Sequence, residues 1–347
     1  MRIFAMLLIL LLLACQSGKV EDAVVAEEEE PVDLSGMGNS TLSSYGFFSG
    51  ELKELEPAPD VHPYSINSAL FSDYALKKRF VRIPNGKQAA YQGEEVFDFP
   101  EGTVLIKNFY YPGDLRQADH DIRLLETRLL MLKDGTWNAL TYVWNEEQTE
   151  AFLDVAGASI PVSWIHTDGK SRNIDYSVPD VNQCKSCHLK GDKVMPIGPS
   201  ARQLNLGDQL TRLRDHGVLS GLPDLSLVPH LVSYEDEQEP IAERARAWLE
   251  INCAHCHRPD GQAKTSGLFL AADITSMMEL GVGKAPVAAG KGSGGRSFSI
   301  VPGRPDESIL VYRIESTDPG IMMPEMGRKL VHAEGVELVR EWILALK

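Results

Sequence analysis

The spacing of hydrophobic positions changes character twice along the chain. Arg2 precedes an unbroken apolar run from Ala5 to Ala14, which stops at Cys15. A basic start, a short apolar core and a small residue before the break predict a secretory leader over 1–14, too short to span a membrane. From about Phe47 to Val178, β-branched and aromatic runs alternate with Gly, Pro, Asn and Asp, which is a strand pattern. Strands are predicted at Arg79–Ile83, Thr103–Phe109, Ile122–Leu132 and Thr136–Trp144. Lys133-Asp134-Gly135-Thr136 predicts a tight hairpin, because Asp-Gly accepts the positive φ angles of a type I′ turn. Beyond it Leu140, Tyr142 and Trp144 alternate with polar or small residues, so one face of that strand is buried. Eight or so such strands with no long helix between them predict a sandwich-like or barrel-like domain.

The second half reads as helical. Leu206, Leu210 and Leu213 recur at helical spacing, with His216-Gly217 as a stop. Pro240, a favoured first helical residue, opens a stronger helix with Ile241, Ala245, Trp248 and Leu249 on one face, running straight into Cys253. A further helix is predicted from a cap at Asp306 through Ile309, Leu310 and Ile314. The last runs from about Ala333 to Leu346, with Val336, Val339, Ile343 and Leu346 inward. The glycines from Gly281 to Gly295 suggest a mobile surface loop.

With 347 residues, 43% of them hydrophobic, the chain can bury a large core divided among two or three domains. Its 34 basic residues face 49 acidic ones, for a net charge of −15, which argues against nucleic acid as a partner. The stretch from Lys19 to Asp33, with Glu27 to Glu30 in one run, reads as a solvated acidic tether. The remaining acidic excess suits docking to a partner with a basic surface, or solubility alone.

Four of the five cysteines fall in two C-x-x-C-H stretches, Cys184-Lys185-Ser186-Cys187-His188 and Cys253-Ala254-His255-Cys256-His257. This spacing suits covalent haem c: each thiol adds to one vinyl group, and the adjacent histidine, His188 or His257, supplies the proximal nitrogen to iron. A zinc ribbon and a thioredoxin-like redox pair compete for the same pattern. The ribbon fits less well, since its knuckles are separated by roughly 15–20 residues and these motifs lie several times farther apart. A redox pair does not require the histidine after each second cysteine. Export favours haem, whose attachment takes place outside the cytoplasmic membrane. Glu94-Glu95 and Asp119 with Asp121 read as solvated strand or loop ends rather than acid/base pairs.

Several resemblances add to this reading. Leu12-Leu13-Ala14-Cys15 resembles the lipobox of bacterial lipoproteins, which implies lipidation of Cys15 and a membrane anchor. Gln16, where the inner-membrane retention signal would have Asp, implies the outer membrane of a Gram-negative host, facing the periplasm. The order of Pro240–Cys253, Asp306–Glu315, Met322-Met323-Pro324 and Ala333–Leu346 resembles a class I cytochrome c domain, with Trp248 and Trp342 where its first and last helices cross. That resemblance implies Met323 as the second axial ligand, ahead of Met322 and then Met326. The first motif has no helix predicted before it, and Met195, a His216/His230 arrangement and an open position all remain for its sixth ligand.

More widely, Pro63–Ala75 with Lys77–Pro84, Pro196-Ile197-Gly198-Pro199, Arg202-Gln203-Leu204-Asn205 and Met323-Pro324-Glu325 resemble a family of bacterial dihaem c-type cytochromes of the Shewanella type. The resemblance implies two haems and electron transfer, and supplies no substrate. The expected fold class is α+β: the leader over 1–14, the lipidated tether over 15–45, a β-rich sandwich-like domain over 46–180, a first haem segment over 181–236 and a class I cytochrome-like domain over 237–347, the last two forming an all-α dihaem region. Three functions follow: an anchored electron carrier, a peroxidase-like dihaem enzyme with an open site at the first haem, or a β-rich module that binds a polymer or partner, with the haems as a relay.

Overall fold

Six strands, β1 (Val61–Tyr64), β2 (Leu76–Arg82), β3 (Val104–Pro112), β4 (Ile122–Lys133), β5 (Thr136–Trp144) and β6 (Ala151–Asp154), pair in chain order as an antiparallel meander. The computed structural model describes residues 38–347, so the leader, Cys15 and the tether up to residue 37 lie outside the described residues. All four predicted strands are present, and the hairpin forms where Asp-Gly predicts it: Lys133 pairs with Thr136, with φ of 53° at Asp134 and 69° at Gly135. The Glu101 carboxylate accepts from the Asp134 and Gly135 amides at 2.5 and 3.1 Å, which further pins the turn.

The meander is covered on both faces. Leu42, Phe47 and Leu55 pack on the side carrying Phe80, Ile106, Leu129 and Tyr142. On the other side a separate hairpin, β7 (Ala158–Ile165) with β8 (Ser171–Val178), packs through Trp164 and Tyr176 against Phe109, Tyr111 and Leu125. The second layer is thus one hairpin rather than a full sheet, because the rest of that face receives the segments that follow β8.

Six helices come next: α1 (Val181–His188), α2 (Ala201–Leu204), α3 (Gln209–Asp215), α4 (Ile241–Leu249), α5 (Ile309–Ile314) and α6 (Ala333–Ala345). Two-residue strand pairs lie among them, so the fold is α+β with strands in both halves. Among the described residues no helix is long and apolar enough to cross a membrane. Helix α1 corrects the expectation that no helix leads into Cys184: Asp180 and Gln183 form a reciprocal capping box, which starts a helix at Val181. Helix α3 buries Leu210 and Leu213, while Leu206 stays outside it and exposed. Ser308, not Asp306, sits at the N-cap of α5, and Asp306 instead pairs with Arg340 at 2.6 Å. Helices α4 and α6 cross closely at Gly335, where a Cβ would come within 2.2 Å of Trp248 Nε1. Trp248 and Trp342 share the core beneath that crossing.

A polar strap from Ser65 to Tyr74 ties the sheet to everything after it. Gln209 exchanges two hydrogen bonds with the Ser65 backbone, at 2.7 and 3.0 Å. The Asn67 and Ser68 amides donate to the Gln203 carbonyl and side-chain oxygen. Ser68 Oγ donates to the Val232 carbonyl at 2.8 Å and accepts from the Tyr234 amide at 3.1 Å. Farther along, the Phe71 amide donates to Asn252 Oδ1 at 2.9 Å, just ahead of the second motif. Asp73 accepts from the Lys329 and Leu330 amides at 2.8 and 2.7 Å.

Replacing Asp73 by Ala leaves two amides without partners in a buried place, a loss of about 2–5 kcal/mol; Asp73→Asn keeps one acceptor and should lose less, as urea unfolding would rank them. Acid sensitivity should centre partly on His332. Its Nδ1 accepts from Trp248 Nε1 at 2.9 Å and its ring stacks on Phe71 at 4.3 Å, and burial pushes its pKa down from 6.5 to about 4. The unfolded chain therefore binds this proton more readily. The contribution of the neutral ring is complete above pH 6.5 and is lost as pH falls through about 4, so His332→Gln should flatten the stability profile over that window.

Candidate haem centre

A cavity of about 340 Å³ opens where the sheet, α1, the end of α4 and the segment after α5 meet. Cys184, Cys187, His188, His255, Met323 and His332 all line it, so residues of both C-x-x-C-H motifs and the methionine loop face one space.

The first motif is carried entirely by α1, which presses against the sheet with Cys184 buried. Burial pushes the Cys184 thiol up in pKa, with Arg128 pulling it the other way. His188 Nδ1 lies 2.8 Å from the Met195 carbonyl, which fixes the tautomer with hydrogen on Nδ1 and leaves Nε2 as a free electron pair. Burial pushes His188 down to about 4, so the ring is neutral at pH 7. The Met195 side chain packs with the apolar cluster around Leu204 and Leu210.

The second motif continues α4 through one wide helical turn, Glu250–Ala254, which brings Cys253 into the core. The chain then reverses tightly: the His257 amide donates to the Cys253 carbonyl at 2.9 Å, and Gly261 lies where a Cβ would be 2.3 Å from the Cys256 carbonyl oxygen. Ser266 Oγ faces His257 Nδ1 at 3.4 Å, and burial lowers the histidine pKa. Burial pushes Cys253 up to about 12 and Cys256 up to about 11, so both are protonated thiols. His255 Nδ1 is buried with no hydrogen-bond partner among the described residues.

Met323 lines the cavity, whereas Met322 is buried away from it and Met326 is at the exposed rim. Arg328 holds this loop in place. Its guanidinium, only 8% exposed, donates to the Ser316, Met323 and Leu330 carbonyls at 2.9, 2.8 and 3.0 Å. The other sequence candidates stand elsewhere: His230 bonds the Asn205 carbonyl at 3.0 Å on the exposed surface, His216 lies beside His62, and neither lines the cavity. Glu94 and Glu95, expected as solvated ends, are ion-pair partners of Arg202 and Lys190. Arg202 also reaches Glu250 at 2.6 Å, joining sheet domain, first segment and second motif.

Sequence reasoning missed the floor of the cavity. Tyr64, Arg79, Lys107, Arg128 and Thr141 are directly opposite one another on β1 to β5, in one row across the sheet. Arg128 is neutralised by Glu126 at 2.5 Å, and Tyr176 donates to the same carboxylate at 2.6 Å. Among the described residues Arg79 and Lys107 have no carboxylate in ion-pairing range, and both line the cavity. Burial brings Lys107 down to about 7, helped by Arg79 and Arg128 beside it.

The donor chemistry fits haem better than zinc. Among the described residues no group of three or more His, Cys, Asp or Glu side chains is gathered as a metal site, as a tetrahedral zinc centre needs. Haem would require less of the chain: paired thiols, one oriented imidazole and a largely apolar space, which the first motif brings to this cavity, whereas Cys253, Cys256 and His257 do not line it. Comparison with family models, curated proteins and solved structures finds no match.

Proposed function

We propose that the protein is a dihaem c-type cytochrome that carries single electrons between redox partners. The observation that supports this most is the shared cavity, which brings together the first motif, His255 of the second motif and the Met323 loop. Haem supplies the one-electron chemistry when bound. The chain's residues attach it through Cys184 and Cys187 at one site and Cys253 and Cys256 at the other, with His188 and His257 as proximal ligands. Hydrogen bonding at the far ring nitrogen orients each imidazole: the Met195 carbonyl serves His188, and Ser266 faces His257. Met323 would be the further iron-binding residue for the His257 site, with Arg328 fixing the backbone that presents its sulfur. The helices α4, α5 and α6 supply the class I cytochrome-like part. The leader and the lipobox-like Cys15 support a lipid anchor, and Gln16 after it supports the outer membrane of a Gram-negative host, facing the periplasm.

Met195, a candidate sixth ligand in the sequence, is read here as a backbone partner of His188. Its carbonyl contacts His188 Nδ1 at 2.8 Å, and its side chain packs against the apolar core. That favours a second reading, in which the His188 haem keeps an exchangeable position and the protein is a dihaem redox enzyme. The mass of the exported protein should show two covalent haems, and no attached haem would defeat both readings. Carbon monoxide separates them: a pure carrier binds none in the reduced state, whereas binding at one haem supports the enzyme.

Two substitutions check the ligand assignments. Met195→Leu should leave both haem spectra as in the wild type, because only its backbone is used. Met323→Ala should open one haem to carbon monoxide and lower its potential, since thioether ligation favours the ferrous state.

A further inference from the structure

The row Arg79–Lys107–Arg128 is an unusual thing to build on one sheet face. Side chains directly opposite on neighbouring strands are about 5 Å apart, and like charges there repel. The rows on either side are mostly apolar: Val81, Leu105, Leu130 and Ala139 in one, Phe109 and Val143 with Lys77 and Glu126 in the other. These rows hold two carboxylates: Glu126 is committed to Arg128 and Tyr176, and Asp154, at the β6 end opposite Thr141, accepts from the Gly157 amide at 2.6 Å. Lys77 donates to the Leu70 carbonyl at 2.8 Å and does not line the cavity. Arg79 and Lys107 are left facing the cavity without a carboxylate partner among the described residues; Lys107 Nζ lies 4.9 Å over the Phe109 ring, its pKa is brought down to about 7, and an arriving anion would hold it protonated beside the permanent charge of Arg79.

The direction of the row matters as much as its charge. Its Thr141 end adjoins α1, the helix of the first motif, and Thr141 and Arg128 both act on the Cys184 thiol. At the spacing of neighbouring strands, Arg79 lies about 14 Å from Thr141. A haem linked through Cys184 and Cys187 carries its two carboxylates on the edge opposite its thioether links, hence towards the far end of the row.

We propose that Arg79 and Lys107 receive the two propionate carboxylates of the haem attached at Cys184 and Cys187. This rests on the dihaem reading, whose haem is the ligand concerned. Two carboxylates cancel the two unmatched cations, and the pairing turns a repulsive row into an anchor that sets the haem's tilt. The cations also raise the potential of that haem, because they oppose the added positive charge of the oxidised iron.

The test uses the full-length exported protein, with haem content by mass measured first. Wild type lacking haem would overturn the underlying reading. With two haems attached, redox titration of Lys107→Met and Arg79→Met should show a downward shift in one haem's midpoint and none in the other's. The double variant should shift it further, and Lys107→Arg should retain the wild-type value. Variants with two haems and unchanged midpoints would sink the assignment. Should the variants fail to accumulate, resonance Raman of the wild type still decides: propionate bending modes of one haem at the frequency of strongly hydrogen-bonded carboxylates support it, and modes at the free-carboxylate frequency in both overturn it. A midpoint that moves on adding acetate at constant ionic strength also overturns it, since the cations would then be open to a free carboxylate.

Discussion

Between Ser65 and Tyr74 the chain passes from the surface into the interior, burying Ser68, Ser72 and Asp73, and the rest of the molecule is arranged to satisfy its polar groups. Buried amides and hydroxyls that lack partners cost about 1–3 kcal/mol each, so the strap can be enclosed only if its partners arrive in the right places. Those partners come from α2, α3, the segment before α4, the end of α4 and the loop after Met323. The strap therefore acts as a template for parts of the chain far apart in sequence. It places Asn252 next to Cys253 and anchors the amides that follow Arg328, which positions the second motif and its methionine loop against the same reference. A packed apolar contact could slide; this set of directional bonds has one register.

The cavity is the space left when that docking is complete, and its floor obeys a different constraint. The strap enters β2, whose Arg79 then stands beside Lys107. Tight closure of the helices on this face would bury Arg79 and Lys107 with no carboxylate partner among the described residues, a cost that the cavity avoids. On the proposed reading a dianionic cofactor would pair with them, so that the polar strap brings the walls together and the charges keep room for the cofactor.

Much of this was legible in the sequence and some was not, for separable reasons. The motifs are local, so Cys184, Cys187, His188, Cys253, Cys256 and His257 could be read from spacing alone. The strands and the Asp134-Gly135 hairpin followed from alternation and turn chemistry, both short-range signals. Helix α1 was missed although Asp180 and Gln183 spell its capping box, because Pro179 and the polar residues around it look like a loop. The cation row was out of reach for a deeper reason. Arg79, Lys107 and Arg128 each look like an ordinary charge in an amphipathic strand, and only the pairing register of three strands puts them in line. The part Met195 plays was out of reach for a related reason: sequence shows its sulfur, while the contact with His188 is made by its carbonyl.

The two motifs are also unequal in how firmly they are held. His188 has a short bond from Nδ1 to a backbone carbonyl, on a capped helix braced by the sheet, whereas His257 has only the longer Ser266 contact. A strong acceptor at Nδ1 raises imidazolate character and so favours the ferric state, while the row of cations beneath the first motif acts in the opposite sense. On the proposed reading the second motif lacks that row and would use Met323, whose thioether favours the ferrous state. The gap between the two potentials would then be set by residues outside the motifs: the Met195 carbonyl, the Arg79–Lys107 pair and the Arg328 clamp.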